Sequence, residues 1–238
     1  MSSSTMKTTN GDVVINNTGK FAASGPVIIE GQSVKFFQSA DGSIQNAVNA
    51  VGNTGAGGTL LQLRDGVWNE DVYISNSNLV LNGNGTGNSF INAAFPFSHV
   101  LAMGAGSNDV TISNLSVSGG TVGINVSNNT GFKLDNVHVS DAADTGLLLD
   151  STDGVLVTNS TFDNNFVGIL GTNTNYTKVA DSTFSNNFGG MGFSGDTNLT
   201  LENNTFNDNF GGIGLLDVVG APITGNTFNN NVYGILAQ

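Results

Sequence analysis

A repeat of 22 residues runs through the C-terminal half of the chain. One apolar column at this interval consists of Phe162, Phe184, Phe206 and Phe228. A second consists of Ile169, Met191, Ile213 and Ile235, and a third of Val157, Val179, Leu201 and Ile223. The first column continues backwards through Val139 and Val117, with a one-residue insertion in the Asp141–Thr145 turn. Three apolar columns that recur together at a short fixed period indicate a solenoid.

The spacing within each repeat distinguishes the kind of solenoid. Apolar residues alternate, as in Val155 and Val157 or in Leu199 and Leu201, and Gly and Asn fill the gaps between apolar segments. Alternation is the spacing of strands and not of helices, and the leucine-dense consensus of a leucine-rich repeat is absent. The sequence therefore predicts an all-β fold: a right-handed parallel β-helix with about 22 residues per coil.

Like residues lie over like residues in such a fold, because successive coils stack about 4.8 Å apart. The Phe column is therefore expected to form an internal aromatic stack. A polar column is expected at a bend, where Asn tolerates left-handed backbone angles and stacked amides can form hydrogen bonds along the axis. Its members are Asn165, Asn187, Asn209 and Asn231.

Residues 1–40 do not follow this register. The segments DVVIN and VIIEGQSVKFF read as strands, either of an irregular first coil or of an arm that pairs with a neighbouring molecule. Residues 41–238 are expected to form the β-helix domain, with its most regular coils over 109–238. Ser43 as N-cap, followed by apolar residues at helical spacing, predicts one short helix over 43–52 that covers the open first coil.

The segment GGTLLQLRDGVWNEDVYISNSNLVLNGNG, residues 57–85, follows this helix. Together with the later NSTF-x-NN-x-x-GI units, it resembles the pectate-lyase-like right-handed β-helix superfamily over roughly residues 40–238. Trp68, Glu70 and Asp71 match a structural turn of that superfamily. The resemblance implies the fold strongly and the function poorly, since the superfamily includes polysaccharide lyases, hydrolases, esterases and epimerases, as well as adhesins, tailspikes and surface proteins without chemistry.

Charge excludes several classes of partner. Eighteen Asp and Glu against six Lys and Arg give a net charge of −12, which argues against binding to nucleic acid or to anionic membranes. An anionic polysaccharide would also be repelled unless calcium bridged the two molecules. The chain has no cysteine, so a disulfide framework and thiolate chemistry are excluded.

The N-terminal segment MSSSTMKTTNGDVV shows no secretory signal pattern, and no stretch of about 18 apolar residues could span a membrane. The alternatives are a cytoplasmic protein, a trimmed chain, or export by a route that uses no N-terminal signal. The acidic, Cys-free, Gly- and Asn-rich composition resembles bacterial proteins exported by type I secretion. We therefore expect the protein outside the cell or on the surface of a bacterium.

Three carboxylates are the best candidates for a site in the regular coils. Asp141, Asp144 and Asp163 lie in neighbouring turns, where they could serve as the converging acids of a glycoside hydrolase or as ligands for calcium. No cofactor is expected apart from this calcium alternative. The simpler interpretation is that Asp is a good turn residue. The nonapeptide calcium repeat, Gly-Gly-x-Gly-x-Asp, is absent.

A basic catalytic group is harder to find. Lys133 is a candidate, and Lys133 and Lys178 are expected one above the other with one coil between them, about 10 Å apart. Arg64 lies far from both in the sequence. His99 is interpreted as a partly buried coil residue, and His138 as a solvated strand residue, because it alternates with buried valines.

The last coil, APITGNTFNNNVYGILAQ, carries no capping segment in the sequence. Either the chain is a piece of a longer protein, or another subunit covers the exposed residues Phe228, Tyr233, Ile235 and Leu236. The main hypothesis is a non-enzymatic extracellular protein that self-assembles head to tail as a surface-layer, biofilm-matrix or adhesion component. The alternatives are a carbohydrate-active enzyme of the superfamily and a sugar-binding or host-recognition module without catalysis.

Overall fold

The computed structural model describes residues 42–51 and 58–238 in full, together with the backbone of four strands nearer the N-terminus. These strands are β1 (Ser4–Lys7), β2 (Val13–Asn16), β3 (Val27–Glu30) and β4 (Val34–Gln38). β1 pairs with β3, and β2 pairs with β4. β4 also pairs, in parallel, with the first strand that follows the helix. The division of the chain near residue 40 stays a prediction.

Apart from β1 and β3, which form a two-stranded sheet, the described strands form the three walls of a parallel solenoid of about 8 turns. The first wall continues from β2 and β4 through β5 (Thr59–Leu63), β8 (Leu79–Asn82), β11 (Thr111–Ser118), β13 (Lys133–Ser140), β15 (Leu156–Thr158), β18 (Lys178–Ala180), β21 (Thr200–Glu202) and β24 (Ile223–Thr224). The second wall consists of β6 (Gly66–Asn69), β9 (Ser89–Asn92), the C-terminal halves of β11 and β13, β16 (Thr161–Asp163), β19 (Thr183–Ser185), β22 (Thr205–Asn207) and β25 (Thr227–Asn229). The third wall consists of β7 (Val72–Ile74), β10 (His99–Met103), β12 (Val122–Ser127), β14 (Thr145–Asp150), β17 (Val167–Thr172), β20 (Gly189–Ser194), β23 (Gly211–Leu216) and β26 (Tyr233–Ala237).

The helix α1 spans Ile44–Val51 and covers the N-terminal end of the described coils, as predicted. Its apolar face is buried, and the helix lies against β3, β4, β5 and β7. Ser43 caps it by accepting a hydrogen bond from the Asn46 backbone N–H, and Glu70 accepts hydrogen bonds from the backbone N–H groups of Ile44 and Gln45. A carboxylate is favourable at this position, because a helix N-terminus has unpaired donors and a positive dipole end. Among the described residues, no helix is long and apolar enough to cross a membrane.

The Phe column forms the interior stack that its period predicts. The rings of Phe162, Phe184, Phe206 and Phe228 lie face to face, with ring centroids 4.9 to 5.0 Å apart. Ile169, Met191 and Ile213 are buried in the opposite wall of the core. Each coil therefore contributes the same set of apolar contacts, and the core is long and narrow.

The bend between the second and third walls differs from the prediction by one residue. Asn165, Asn187 and Asn209 are buried and form an amide ladder in which the backbone N–H of each donates to the side-chain oxygen of the next at 2.9 to 3.0 Å. The positive φ angles belong to the residues just before them, Asn164, Asn186, Asp208 and Asn230. The prediction of left-handed geometry at the Asn165 column was therefore wrong: one residue makes the turn and the next holds the coils together.

Candidate functional site

A polar groove with a volume of about 770 Å³ lies on the outside of the N-terminal coils. It lies where the first wall ends and the chain turns towards the second wall. The turns after β5 and β8 form its sides, and the middle of β11 forms its lower edge. The residues that line it are Gln62, Leu63, Arg64, Asp65, Asn82, Gly83, Asn84, Gly85 and Asn114.

Carboxamide side chains connect the successive coils along the groove. Asn82 Nδ2 donates to Gln62 Oε1 at 2.6 Å, and Asn114 Nδ2 donates to Asn82 Oδ1 at 2.7 Å. The ladder continues one coil further, where Asn136 Nδ2 donates to Asn114 Oδ1 at 2.7 Å. Gln62 Nε2 also donates to the carbonyl oxygen of Gly83 at 3.0 Å. These bonds hold the side chains in fixed orientations.

The groove presents both donors and acceptors. Each carboxamide nitrogen has two N–H groups and each carboxamide oxygen has two lone pairs, and one N–H of Asn82 and one of Asn114 is used in the ladder. On the rim, Asn84 Nδ2 donates to Asp65 Oδ1 at 2.6 Å, and Arg64 is exposed beside this pair. A ligand rich in hydroxyl groups matches such a surface, because a hydroxyl also donates and accepts.

A second polar cluster lies on the outer face of the second wall. His138 Nε2 contacts Asp163 Oδ1 on the next coil. Asp141 follows β13 directly, and its Oδ2 accepts hydrogen bonds from Ser140 Oγ at 2.8 Å and Ser118 Oγ at 3.2 Å. An imidazole beside a carboxylate is a common pair in general acid–base catalysis. We refer to His138, Asp141 and Asp163 as the second-wall cluster.

The other predicted site residues lie elsewhere. Asp144 begins the third wall, where its carbonyl oxygen accepts a hydrogen bond from the Val167 backbone N–H at 2.8 Å. Lys133 lies at the start of β13 on the first wall and is paired with Leu156, which is paired in turn with Lys178. Asp141 and Asp163 are neighbours through their backbones, because the Asp141 N–H donates to the carbonyl oxygen of Asp163 at 3.3 Å, whereas Asp144 and Lys133 lie beside other walls.

Metal binding has no clear site in this arrangement. In residues 42–51 and 58–238, no group of three or more His, Asp or Glu side chains is placed to hold a metal ion. Calcium binding at Asp141, Asp144 and Asp163 stays a prediction.

The two histidines differ from their predicted environments. His99 is exposed, not partly buried, and its Nδ1 lies 3.0 Å from Asn125 Nδ2. His138 points outward as expected, but it contacts Asp163 instead of being surrounded only by water. The groove amides were also missed, although the outward positions of Gln62 and Asn82 follow from the alternation within their strands.

The proposed assembly residues occupy the last coil. Phe228 is partly buried, whereas Ile235 and Leu236 are 47% and 55% exposed. Tyr233 and Leu236 face outward on the third wall, where they line a small apolar cavity together with residues of the preceding coils.

Comparison with known proteins agrees with the geometry. The family model described as "Right handed beta helix region" matches residues 100–238. No curated protein sequence matches the chain.

Similar solved structures come from viral and bacterial proteins. The Geobacillus virus E2 protein ORF18 superposes with a TM-score of 0.58 at 15% identity, covering 82% of this chain and 57% of its own length. Pectate lyase Pel9A gives 0.58 at 11% identity, covering 90% and 78% of the two chains. An alginate lyase from Paenibacillus sp. str. FPU-7 gives 0.55 at 13% identity, covering 84% and 98%. The present chain thus spans little more than half of the viral protein.

Proposed function

Because the chain belongs to the right-handed beta helix family, we propose that it is a carbohydrate-binding β-helix that holds a polysaccharide in the polar groove of its N-terminal coils. The observation that carries the proposal is the groove itself. Its volume of about 770 Å³ lies within the range of ligand sites, and its amides are already fixed by the Gln62–Asn82–Asn114 ladder. Binding to fixed groups loses less conformational entropy than binding to mobile ones.

The solved structures support the class of ligand. Two of the similar proteins are a pectate lyase and an alginate lyase. At identities of 11% and 13% the likeness concerns the fold, so the polysaccharide is transferred to this chain as a proposal only.

Charge narrows the ligand further. A net charge of −12 repels a polyuronate at long range, and Asp65 lies in the groove itself. We therefore propose an uncharged polysaccharide as the ligand. A polyuronate would bind only weakly at low ionic strength, because salt then screens its repulsion from the acidic protein least.

Isothermal titration calorimetry with a panel of uncharged glycans and polyuronates tests the proposal. The combined substitution Arg64→Ala and Asn84→Ala removes two groove side chains and should weaken glycan binding at least tenfold. Asn207→Ala is the matched control, since Asn207 belongs to an exposed amide pair with Asn229 on the second wall. If no glycan bound, or if the control weakened binding as much as the groove variant, the proposal would be wrong.

The protein would also be an enzyme if it cleaved the bound polysaccharide, and the second-wall cluster favours this extension of the proposal. The cluster combines an imidazole and two carboxylates on adjacent coils. With a glycan that binds, product release should be measured for the wild type, His138→Gln and Asp163→Asn. Lost turnover with unchanged affinity would support an enzyme; no turnover by the wild type on any bound glycan would leave a binding protein.

End-to-end self-assembly is a second candidate, favoured by the exposed apolar residues of the last coil. Ile235 and Leu236 are about half exposed. Electron microscopy with calcium and with a chelator tests it: filaments that Ile235→Lys abolishes would support the candidate, and discrete particles in both conditions would overturn it.

We place the protein outside a bacterial cell, as its composition suggests, and fractionation of the native host would test this.

A further inference from the structure

The outer face of the third wall carries an uncharged ridge beside an uncharged pit. The ridge consists of Phe166, Phe188 and Phe210, which stack with ring centroids 4.8 to 4.9 Å apart and are 51%, 53% and 46% exposed. The pit, of about 300 Å³, is floored by Gly189, Gly192, Gly211 and Gly214. No charged side chain lines it.

The pit exists because two consecutive coils have glycine at both outward positions. The same columns hold Val167 and Leu170 one coil before the pit, and Tyr233 and Leu236 one coil after it. Larger side chains therefore close the pit at both ends along the axis. It is a recess about two coils, or roughly 10 Å, long.

The fold does not require these glycines. None of the four has a positive φ, and a Cβ added at any of them would have its nearest neighbour at 3.3 to 3.9 Å, where the shortest distance is to the flexible end of Leu170. By contrast, a Cβ at the interior residue Gly190 would lie 2.6 Å from the carbonyl oxygen of Gly212. Glycine inside a strand lowers stability. A Cβ could be added at Gly189, Gly211 and Gly214 without a clash, and at Gly192 with a small shift of the Leu170 side chain.

The ridge also differs from a platform for sugars. Its rings lie parallel to one another within 7°, so most ring faces are covered by the neighbouring ring and the ring edges point to solvent. A hydrophobic patch of this size on a soluble protein marks an interaction surface. A row of apolar ring edges, one in each coil, would fit the pit. The phenylalanine rings of the ridge form such a row.

We propose that two copies of the chain associate side by side through the third wall, with Phe188 and Phe210 of each copy in the glycine pit of the other. A two-fold axis parallel to the solenoid axis, between ridge and pit, brings them together at the same coil level. An axis along the strands would instead place ridge against ridge. The contact is isologous and closes at two subunits.

Area and charge are consistent with a dimer. Phe166, Phe188, Phe210 and Tyr233, each about half exposed, would bury on the order of 400 Å² per copy. This is about half of the roughly 800 Å² per partner of a standard interface, and Leu216 and Leu236, which are also exposed, add to it. Two copies with a net charge of −12 each repel one another, so an uncharged face is the favourable place for contact, and added salt should strengthen the dimer.

Sedimentation equilibrium of the full chain tests the dimer with two opposite changes. Gly192→Leu with Gly214→Leu fills the pit with the residue found at Leu170 in the same column, and Phe188→Ser with Phe210→Ser removes the ridge. Each should raise the dimer dissociation constant by about 30- to 100-fold. Thr183→Leu with Thr205→Leu, which places two leucines on the outer face of the second wall at the same coils, should change it by less than about twofold. Circular dichroism verifies that all variants are folded.

Mixing the two interface variants provides a stricter test. A mixed pair keeps one intact ridge facing one intact pit, while the shortened side chains face the filled pit. The mixture should therefore form more dimer than either variant alone. The proposal is wrong if the wild type is monomeric at all salt concentrations, or if the filled-pit variant dimerises like the wild type. It is also wrong if the chain forms open-ended assemblies that these substitutions do not change. A last contradicting result would be that the apolar dye ANS binds in the pit equally well in the monomer and in the dimer.

Discussion

Two phenylalanine ladders run along the C-terminal coils with the same spacing, and only one of them is buried. Phe162 and Phe184 in the core have ring centroids 5.0 Å apart, and Phe166 and Phe188 on the surface have theirs 4.9 Å apart, with both pairs parallel within 1°. The stacking geometry is thus a property of the coil repeat and does not distinguish structure from function. Burial does.

The glycines show the same division. Interior glycines such as Gly190 are required, because a side chain there would collide with the next coil, whereas a Cβ at Gly189 beside it would meet only Val167, at an ordinary contact distance of 3.6 Å. Repetition of a residue in a solenoid therefore has two different causes. One is the packing of the core, and the other is a surface that the packing leaves free to serve another purpose.

The largest expected effect separates the two ladders directly. Phe184→Ala should lower the free energy of unfolding by about 3–5 kcal/mol, because it opens a cavity in a close-packed core. Phe188→Ala, on the outer ladder, should cost no more than about 1 kcal/mol. Urea denaturation followed by circular dichroism measures both. Equal losses would show that the outer ladder also stabilises the monomer.

The amide ladder allows a similar comparison between buried and exposed asparagines. Asn187 Nδ2 donates to the carbonyl oxygen of Phe162 at 3.0 Å, and its Oδ1 accepts from the Asn165 backbone N–H at 2.9 Å. Asn187→Ala leaves buried polar groups unpaired and should cost at least about 1–3 kcal/mol. Asn207→Ala should change the stability by less than about 0.5 kcal/mol. The same denaturation experiment measures both values, and a small effect at Asn187 would mean that water replaces the amide.

The adjacent glycines Gly189 and Gly190 should differ from each other in the sign of their effect on stability. Gly190→Ala should destabilise the fold by about 1–3 kcal/mol through overpacking. Gly189→Ala should be neutral or stabilise it by up to about 1 kcal/mol, since alanine loses less backbone entropy than glycine. Thermal unfolding at a protein concentration low enough to keep the chain monomeric is the measurement. Destabilisation by Gly189→Ala would refute the view that the pit is not needed for folding.

The smallest effect concerns a buried carboxyl and depends on pH. Burial raises the pKa of Asp196 above its ordinary value of 3.8, although the Thr174 backbone N–H donates to it and opposes this shift. The folded state then holds the proton more tightly than the unfolded state, so the stability contribution is complete below pH 3.8 and is lost as the pH rises through the raised pKa.

Asp196→Asn cannot titrate, so its stability relative to the wild type should increase as the pH rises from acid to neutral. Urea denaturation over this pH range measures the difference. Asp208→Asn, at an exposed turn residue, is the control. If the wild type and Asp196→Asn showed the same pH dependence, the carboxyl would be ionised in the folded state without cost.

Much of the fold could be predicted because the repeat aligns its own residues. Once the period was found, the register of every C-terminal coil followed, and the helix at Ile44–Val51 was predicted from its cap and apolar spacing. The groove could not be predicted in this way. Gln62, Asn82 and Asn114 are separated by irregular numbers of residues, so no period indicates that they stack. His138 and Asp163 are in contact although they are 25 residues apart. Because this separation differs from the repeat of 22 residues, the two residues do not fall in one column, and the alignment of the repeats does not predict their contact.

The sequence by itself determined the solenoid, its period and the identity of the ladders, because apolar residues at a fixed interval can be buried together only by stacking coils. The tertiary structure decided which ladder faces outward. Strict alternation from Phe162 would place Phe166 inside, but the positive φ of Asn164 shifts the alternation by one residue, so that Asn165 is buried and Phe166 is exposed. A backbone angle at one bend, repeated in each coil, therefore turns a column of phenylalanines from core into surface.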